Sequence, residues 1–268
     1  MKLHFLAALI ASCAACKPRD FGVNNASEST QVQVSANAGQ VQFRNGLTVA
    51  RNYTLDQNTI FYFNNLFQTQ SVPPNDDKWK KYLGNGVAQG LSLIESYSLL
   101  RSTSEDYSRF QAYFSNAKIP TSDVGIWQSE ENIRTFILGT MSAVTKLPFH
   151  HGTIYRGIVC PVATCLPTVQ VGLDLVQRSF TSASKSRKQA ELFADPNVAK
   201  GGAHPAGSGS FLFVIENSQS AHDISKVTWS PEEEEVLYSP NQTFRITGLT
   251  HLPNKGAFPA YLVTMVEK

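Results

Sequence analysis

Three short segments carry residue types that could act together on a charged substrate: Tyr155-Arg156-Gly157, Phe180-Thr181-Ser182-Ala183-Ser184, and Pro231-Glu232-Glu233-Glu234-Glu235. Arg156 falls in an apolar run read as a strand. A guanidinium there needs an anionic partner, and its forked donors match a diphosphate. An exposed or salt-bridged arginine satisfies the same sequence. Ser182 and Ser184 lie two apart just before a helical segment, so on a strand their hydroxyls share a face. Serines so placed also cap helices, the role expected of Ser184, and no neighbouring base makes Ser182 a nucleophile. The acidic run passes directly into Val236-Leu237-Tyr238. As part of a strand, Glu233 and Glu235 point to one face, whereas four acids in a row otherwise mark a solvated surface. Two carboxylates held that close raise each other's pKa and can divide the roles of base and charge stabiliser. That suits chemistry at a sugar carbon that develops positive charge.

Positioning these groups requires a particular order of elements. From 75 to 148 the apolar pattern is helical, most clearly after Ser129, a capping residue followed by Glu130 and Glu131 in the positive first turn. Ile133, Phe136, Ile137, Met141 and Val144 then fall on one face, and Pro148 ends the segment. Strands follow at 153–159, 210–216, 235–239, 244–249 and 261–266, interrupted by a helix at 185–194 that carries Ala190, Phe193 and Ala194 on a common face. Helices first and short strands afterwards predict an α+β fold. The aromatic cluster Thr59-Ile60-Phe61-Tyr62-Phe63 is too short to assign.

The 268 residues are 42% hydrophobic, enough for one sizeable core. Lys plus Arg total 23 and Asp plus Glu 21, a balance that gives no electrostatic case for a nucleic-acid partner or a membrane surface. Lys2, the apolar run Leu3 to Ala11 and the small residues beyond it have the layout of a secretory signal peptide ending near residue 16. Ser12-Cys13 or Ala15-Cys16 resembles a lipoprotein signal, so export is expected, either as a free secreted chain or with an N-terminal lipid anchor, the anchor being the one route to a membrane. Residues 17 to about 45, rich in Ser, Asn and Gln, read as a tether with room for a short strand, and the remainder of 17–74 as an N-terminal segment without an assigned role, which leaves 75–268 as the functional domain. In an exported chain the isolated pair Cys160 and Cys165 is expected to form a disulfide. No metal site is expected, because two cysteines are half of a zinc ligand set and the adjacent His150 and His151 diverge on a strand.

Taken together, "GTIYRG", "SFTSAS" followed by "KQAELFA", and "EEEEVL" resemble, in order, the three motifs of the mono-ADP-ribosyltransferases of the arginine, serine, glutamate type. The resemblance covers roughly 147–249. It implies a split pair of small, mainly antiparallel sheets around an NAD cleft, preceded by helices. Arg156 would bind the NAD diphosphate, Gly157 would offer backbone hydrogen bonds to nicotinamide, and Ser182 would hold Glu235. Glu235 would stabilise the ribose as nicotinamide leaves, and Glu233 would receive an acceptor arginine of a protein target. The family's middle threonine of the second motif is Ala183 here, which removes one hydroxyl. The resemblance also makes 195–209 a loop over the cleft and Trp229 an anchor for the target; a plain loop and a core tryptophan are the alternatives. Rival functions on this sequence are an NAD glycohydrolase and a lipid-anchored binding module with a decayed site.

Overall fold

The computed structural model describes residues 40–43, 48–70, 77–104, 106–115, 129–198 and 204–268. The leader, residues 17–39 of the expected tether and residues 199–203 of the cleft loop lie outside these. Paired strands β1 (Gln40–Gln42) and β2 (Thr48–Ala50) precede α1 (Gln57–Gln70), α2 (Asp77–Ala88), α3 (Leu93–Ser102), α4 (Tyr107–Phe114) and α5 (Glu130–Lys146). Strands then dominate: β3 (Gly152–Pro161), the helical turn α6 (Val162–Cys165), β4 (Asp174–Gln177), β5 (Thr181–Ser184), α7 (Arg187–Phe193), β6 (Ser208–Ser218), β7 (His222–Asp223), β8 (Glu235–Tyr238), β9 (Gln242–Lys255) and β10 (Phe258–Glu267). The fold is α+β as read from the sequence, with helices before the main run of strands, although the β1–β2 pair precedes the helices.

Helix α5 begins where its sequence says it should. Ser129 is extended and its Oγ accepts from Asn132 N at 3.2 Å, Glu130 and Glu131 occupy the first turn, and Lys146 the last. Its apolar stripe is fully buried, with Ile133, Phe136, Ile137, Met141 and Val144 at 0% exposure. α3 crosses it closely, because a Cβ at Gly139 would lie 2.2 Å from Ser98 Oγ. A capping box of Ser92 and Glu95 opens α3. Glu95 also accepts from Ser142 Oγ at 2.5 Å and Lys146 Nζ at 2.8 Å on α5, so one buried carboxylate ties a helix start to its neighbour.

The aromatic cluster at 59–63 lies within α1, where Phe63 meets Phe136 edge to face at 5.2 Å. Val41, Phe43, Phe63 and Leu66 are buried in the same cluster as α3 and α5. The tether expected from 17 to about 45 therefore gives way before its end, and the unassigned segment after it packs as well: by Val41 the chain is part of the packed body, because these side chains bury apolar surface that a tether would leave in water.

The larger sheet runs β4-β9-β10-β6-β3-β5-β8-β7, antiparallel except for β10 with β6. Its continuity is weakest between β3 and β5, which pair only at Tyr155 and Ser184, whereas β3 pairs with β6 from Gly152 to Pro161. The sheet thus divides into a five-stranded part and a three-stranded part joined at one residue pair. A second apolar cluster, including Phe211, Phe213, Ile215 and Val263, lies on the five-stranded part and continues through Ala183, Val236 and Tyr238 onto β5 and β8, while Phe180 and Leu237 join the β5–β8 side to the helices. Cys160 at the end of β3 is disulfide-bonded to Cys165 of α6, as expected.

Burial alone would raise the Glu95 carboxyl, but Lys146 and the hydroxyls and amide around it hold it below the ordinary carboxylate range. A depressed acid stabilises the fold above its unfolded pKa, and that stability is lost as pH falls through the folded value. Glu95→Gln should therefore lower neutral-pH stability by about 1–2 kcal/mol in urea unfolding, toward the low end because Lys146 keeps solvent. The difference from wild type should shrink as pH falls below about 4.3. A difference independent of pH would assign Glu95 a packing role alone.

Candidate active site

The three sequence segments meet where the sheet divides. β3 supplies Arg156, β5 supplies Ser182, and β8 opens with Glu235, which pairs with Ser184 across the β5–β8 ladder. Arg156 Nη1 donates to the carbonyl oxygen of Ser182. Ser182 Oγ reaches diagonally across the ladder and donates to Glu235 Oε1 at 2.6 Å. These groups line a cleft of about 880 Å³, open mouth included, with Gly157 and Val159 of β3, Phe193 of α7 and Glu233.

Glu233 and Glu235 both turn inward, 5% and 7% exposed, while Glu232 and Glu234 face solvent. The alternation expected of a strand is present, but a strand does not produce it. Pro231–Glu233 form a 3-10 turn, and Glu234 adopts a left-handed conformation (φ 49°, ψ 44°) that brings the chain into β8 only at Glu235. Ser184 is not the helix cap: Ser186 is the N-cap of α7, accepting from Gln189 N at 3.4 Å. Ser184 Oγ instead donates to Glu233 O at 2.6 Å, and Lys185 N donates to Glu234 O at 3.1 Å, which fastens the acidic turn to β5.

Burial pushes the Glu233 carboxyl up to about 8, helped by the charges of Glu235 and Glu232. Burial also pushes Glu235 up, to about 7, against hydrogen bonds from Ser182 and Thr228 and the charge of Arg156. A pair of acids poised near neutrality in a cleft is equipped for proton transfer and for stabilising nearby positive charge. Among the described residues no cluster of three or more His, Cys, Asp or Glu side chains could hold a metal ion.

Gly157 has a packing role beyond its place in the cleft. A Cβ there would lie 1.8 Å from Ala190 O and 2.7 Å from Ala194 N, so only glycine lets α7 sit against β3. Trp229 is turned toward the helices: its Nε1 donates to Leu100 O at 2.8 Å and its ring meets Trp79 at 4.5 Å and Tyr82 at 4.7 Å. Of the two readings of this residue, packing against the core is the one observed. Residues 204–209 of the expected cleft loop are described, and His204 lines the cleft.

The sequence reading missed Thr228, whose Oγ1 donates to Glu235 Oε2 at 3.1 Å, and Tyr107 of α4, which lines the cleft and donates to Phe180 O at 3.4 Å. Thr228 lies on an irregular loop and Tyr107 on a distant helix, so neither had a periodic signal. Only the short interval from Thr228 to the acidic run could have drawn attention to it.

No protein-family model matches the chain. It is 31% identical over 153 residues to Vis of Vibrio splendidus (strain 12B01), named as an NAD(+)–arginine ADP-ribosyltransferase; the match covers 56% of this chain and 59% of Vis. A second relative, Mav of Mycobacterium avium (strain 104), carries the same activity in its name and is 29% identical over 126 residues, 47% of this chain and 13% of Mav. The chain thus spans about three fifths of one curated relative and a small part of the other. Among solved structures, Vis in complex with agmatine superposes with a TM-score of 0.51 at 23% identity, covering 75% of this chain and 90% of that one. Exoenzyme S of Pseudomonas aeruginosa, solved with human 14-3-3 protein beta and carba-NAD, gives 0.51 at 13% identity, covering 77% and 88%. The fold is that of the ADP-ribosyltransferases, as the motifs implied.

An acid whose folded pKa is raised stabilises the fold most when protonated, and that contribution is lost as pH rises through the folded value. Glu233→Gln should therefore raise the unfolding midpoint relative to wild type near pH 8 to 9 and leave it nearly unchanged near pH 4. Thermal unfolding across that range checks the sign; a variant less stable than wild type at pH 9 would contradict the burial account.

Proposed function

We propose that this chain transfers ADP-ribose from NAD to an arginine of a protein target, releasing nicotinamide. The observation that carries the reading is the Ser182–Glu235 hydrogen bond beside Arg156, with a second buried acid, Glu233, at the same cleft. The names of Vis and Mav and the agmatine complex of Vis support it, since agmatine carries a guanidinium like that of arginine.

NAD is a substrate here, and the residues fit it. Arg156 offers the donors its Ser182 contact leaves over to the diphosphate, and Gly157 its backbone to the nicotinamide amide. Glu235, held by Ser182, lies against the nicotinamide ribose. As the bond between C1′ and the ring nitrogen breaks, the electron pair leaves with neutral nicotinamide, and the carboxylate stabilises the positive charge growing on the sugar. A guanidino nitrogen of the acceptor then bonds to C1′, and the proton it loses passes to Glu233. Because guanidinium has a pKa above about 12, a neighbouring carboxylate must both orient it and take that proton. Export belongs to the same proposal: the apolar leader at residues 3–11 and the Cys160–Cys165 bond both suit an oxidising compartment, with an N-terminal lipid as a further element.

Two experiments test this assignment. Arg156→Ala should raise the NAD dissociation constant at least about tenfold in calorimetry, because a charge-assisted fork is lost; unchanged affinity in a folded variant would remove Arg156 from the site. Nicotinamide release measured beside labelled ADP-ribose incorporation into agmatine separates the two acids. Glu235→Gln should depress hydrolysis and transfer together, whereas Glu233→Gln should suppress transfer and leave appreciable hydrolysis. If Glu233→Gln lowers both by one factor the division of roles is wrong, and if wild type only hydrolyses NAD the chain is a glycohydrolase.

A further inference from the structure

We infer that Thr228 is a positioning residue for the reaction: with Ser182 it grips both oxygens of Glu235 and transmits the rigidity of the helical layer to that acid. The inference rests on the function proposed above and adds a residue that the three motifs do not contain. Ser182 Oγ binds Oε1 at 2.6 Å and Thr228 Oγ1 binds Oε2 at 3.1 Å, so the carboxylate is fixed in rotation as well as position. A single hydroxyl would leave the second oxygen free to turn about the Cγ–Cδ bond.

Thr228 is itself buried, and its loop is anchored at several points. The residue is 1% exposed, and Ser230 N approaches its Oγ1 at 3.5 Å, which favours the hydroxyl proton pointing toward Glu235. Val227 and Trp229, its neighbours, pack into the helical core, and Trp229 Nε1 is bonded to Leu100 O at the end of α3. Earlier in the same loop, Lys185 Nζ joins Asp223 at 2.8 Å and Ser225 Oγ at 3.2 Å, which pins the loop to the residue that follows β5. Ser182 approaches Glu235 from the sheet and Thr228 from the helix-anchored loop. The charged groups that act on Glu235 are Arg156 of β3 and Glu233 of the preceding 3-10 turn.

The test follows the ionisation of Glu235 directly and the reaction separately. Carbon-13 spectra of glutamate carboxyls, with the Glu235 resonance assigned by its loss in Glu235→Gln, give the titration midpoint. In Thr228→Val the midpoint should rise by about one pH unit, because a hydrogen bond to the charged form is lost, and in Thr228→Ser it should stay near that of wild type. Nicotinamide release in a Glu233→Gln background, which leaves one of the two acids, should show its acid limb shifted by the same amount, with KM for NAD changed less than about twofold. A merely structural role would lower the unfolding temperature and leave the titration in place. If Thr228→Val does not fold, Thr228→Cys, a weak donor, is read in the same way. An unmoved Glu235 midpoint in a folded variant overturns the proposal. Absence of nicotinamide release from wild type overturns the proposed function instead, an outcome distinguishable because the titration needs no NAD.

Discussion

The hydrogen bond from Ser182 to Glu235 is the contact on which the rest of the site depends. It exists because β5 lies between β8, with which it pairs along its whole length, and β3, with which it pairs at one residue. A continuous β3–β5 ladder would close the gap in which Arg156 and the two acids face one another. The sheet therefore forfeits backbone pairing at one seam, and the opening there is the cleft. Arg156 bridges part of the loss by donating to the Ser182 carbonyl, so one side chain both borders the cleft and fastens its two walls.

Holding two acids in such a place is unfavourable. Burial raises both carboxyls toward neutrality, and each lies in the field of the other. The opposing stabilisation is contributed elsewhere, by the aromatic and aliphatic core of α1, α3, α4 and α5 and by the cluster between the long strands. The helical layer also fixes the loop between β7 and β8 through Trp229 against α2 and α3, and Lys185, the residue that follows β5, holds Asp223 of β7 at the start of that loop. Dipoles that are fixed beforehand need no reorganisation when charge develops, so a carboxylate held this firmly suits the chemistry proposed for the cleft.

Much of this was legible in the residues, for reasons that differ from place to place. Helix α5 was readable because its cap, first-turn acids, apolar stripe and terminal Lys146 all obey local rules that its packing does not override. The long strands were readable from their β-branched and aromatic runs, although β9 extends through Lys255 because it pairs with β10 well past its apolar part. The order of Arg156, Ser182 and Glu235 along the chain is what made them candidates, and the structure brings the three to one cleft. Glu233 was found for a reason that proved incomplete: period two predicted its inward face, but a left-handed Glu234 rather than a strand produces it. Helix α1 was hidden because Thr59 to Phe63 has strand-like composition, and the burial of Phe63 against Phe136 decides its state. Thr228 and Tyr107 reach the site through tertiary contacts that no spacing encodes.

The most direct test of the account is a double-mutant cycle on nicotinamide release, using Ser182→Ala, Glu235→Gln and the pair. If Ser182 acts by holding Glu235, then once Glu235 has lost its charge the serine has little left to hold. The double variant should then be no slower than Glu235→Gln alone by more than about twofold. Fully additive losses, with the double variant slowed by the product of the two single effects, would mean that the hydroxyl and the carboxylate act independently and that the bond between them does not organise the site.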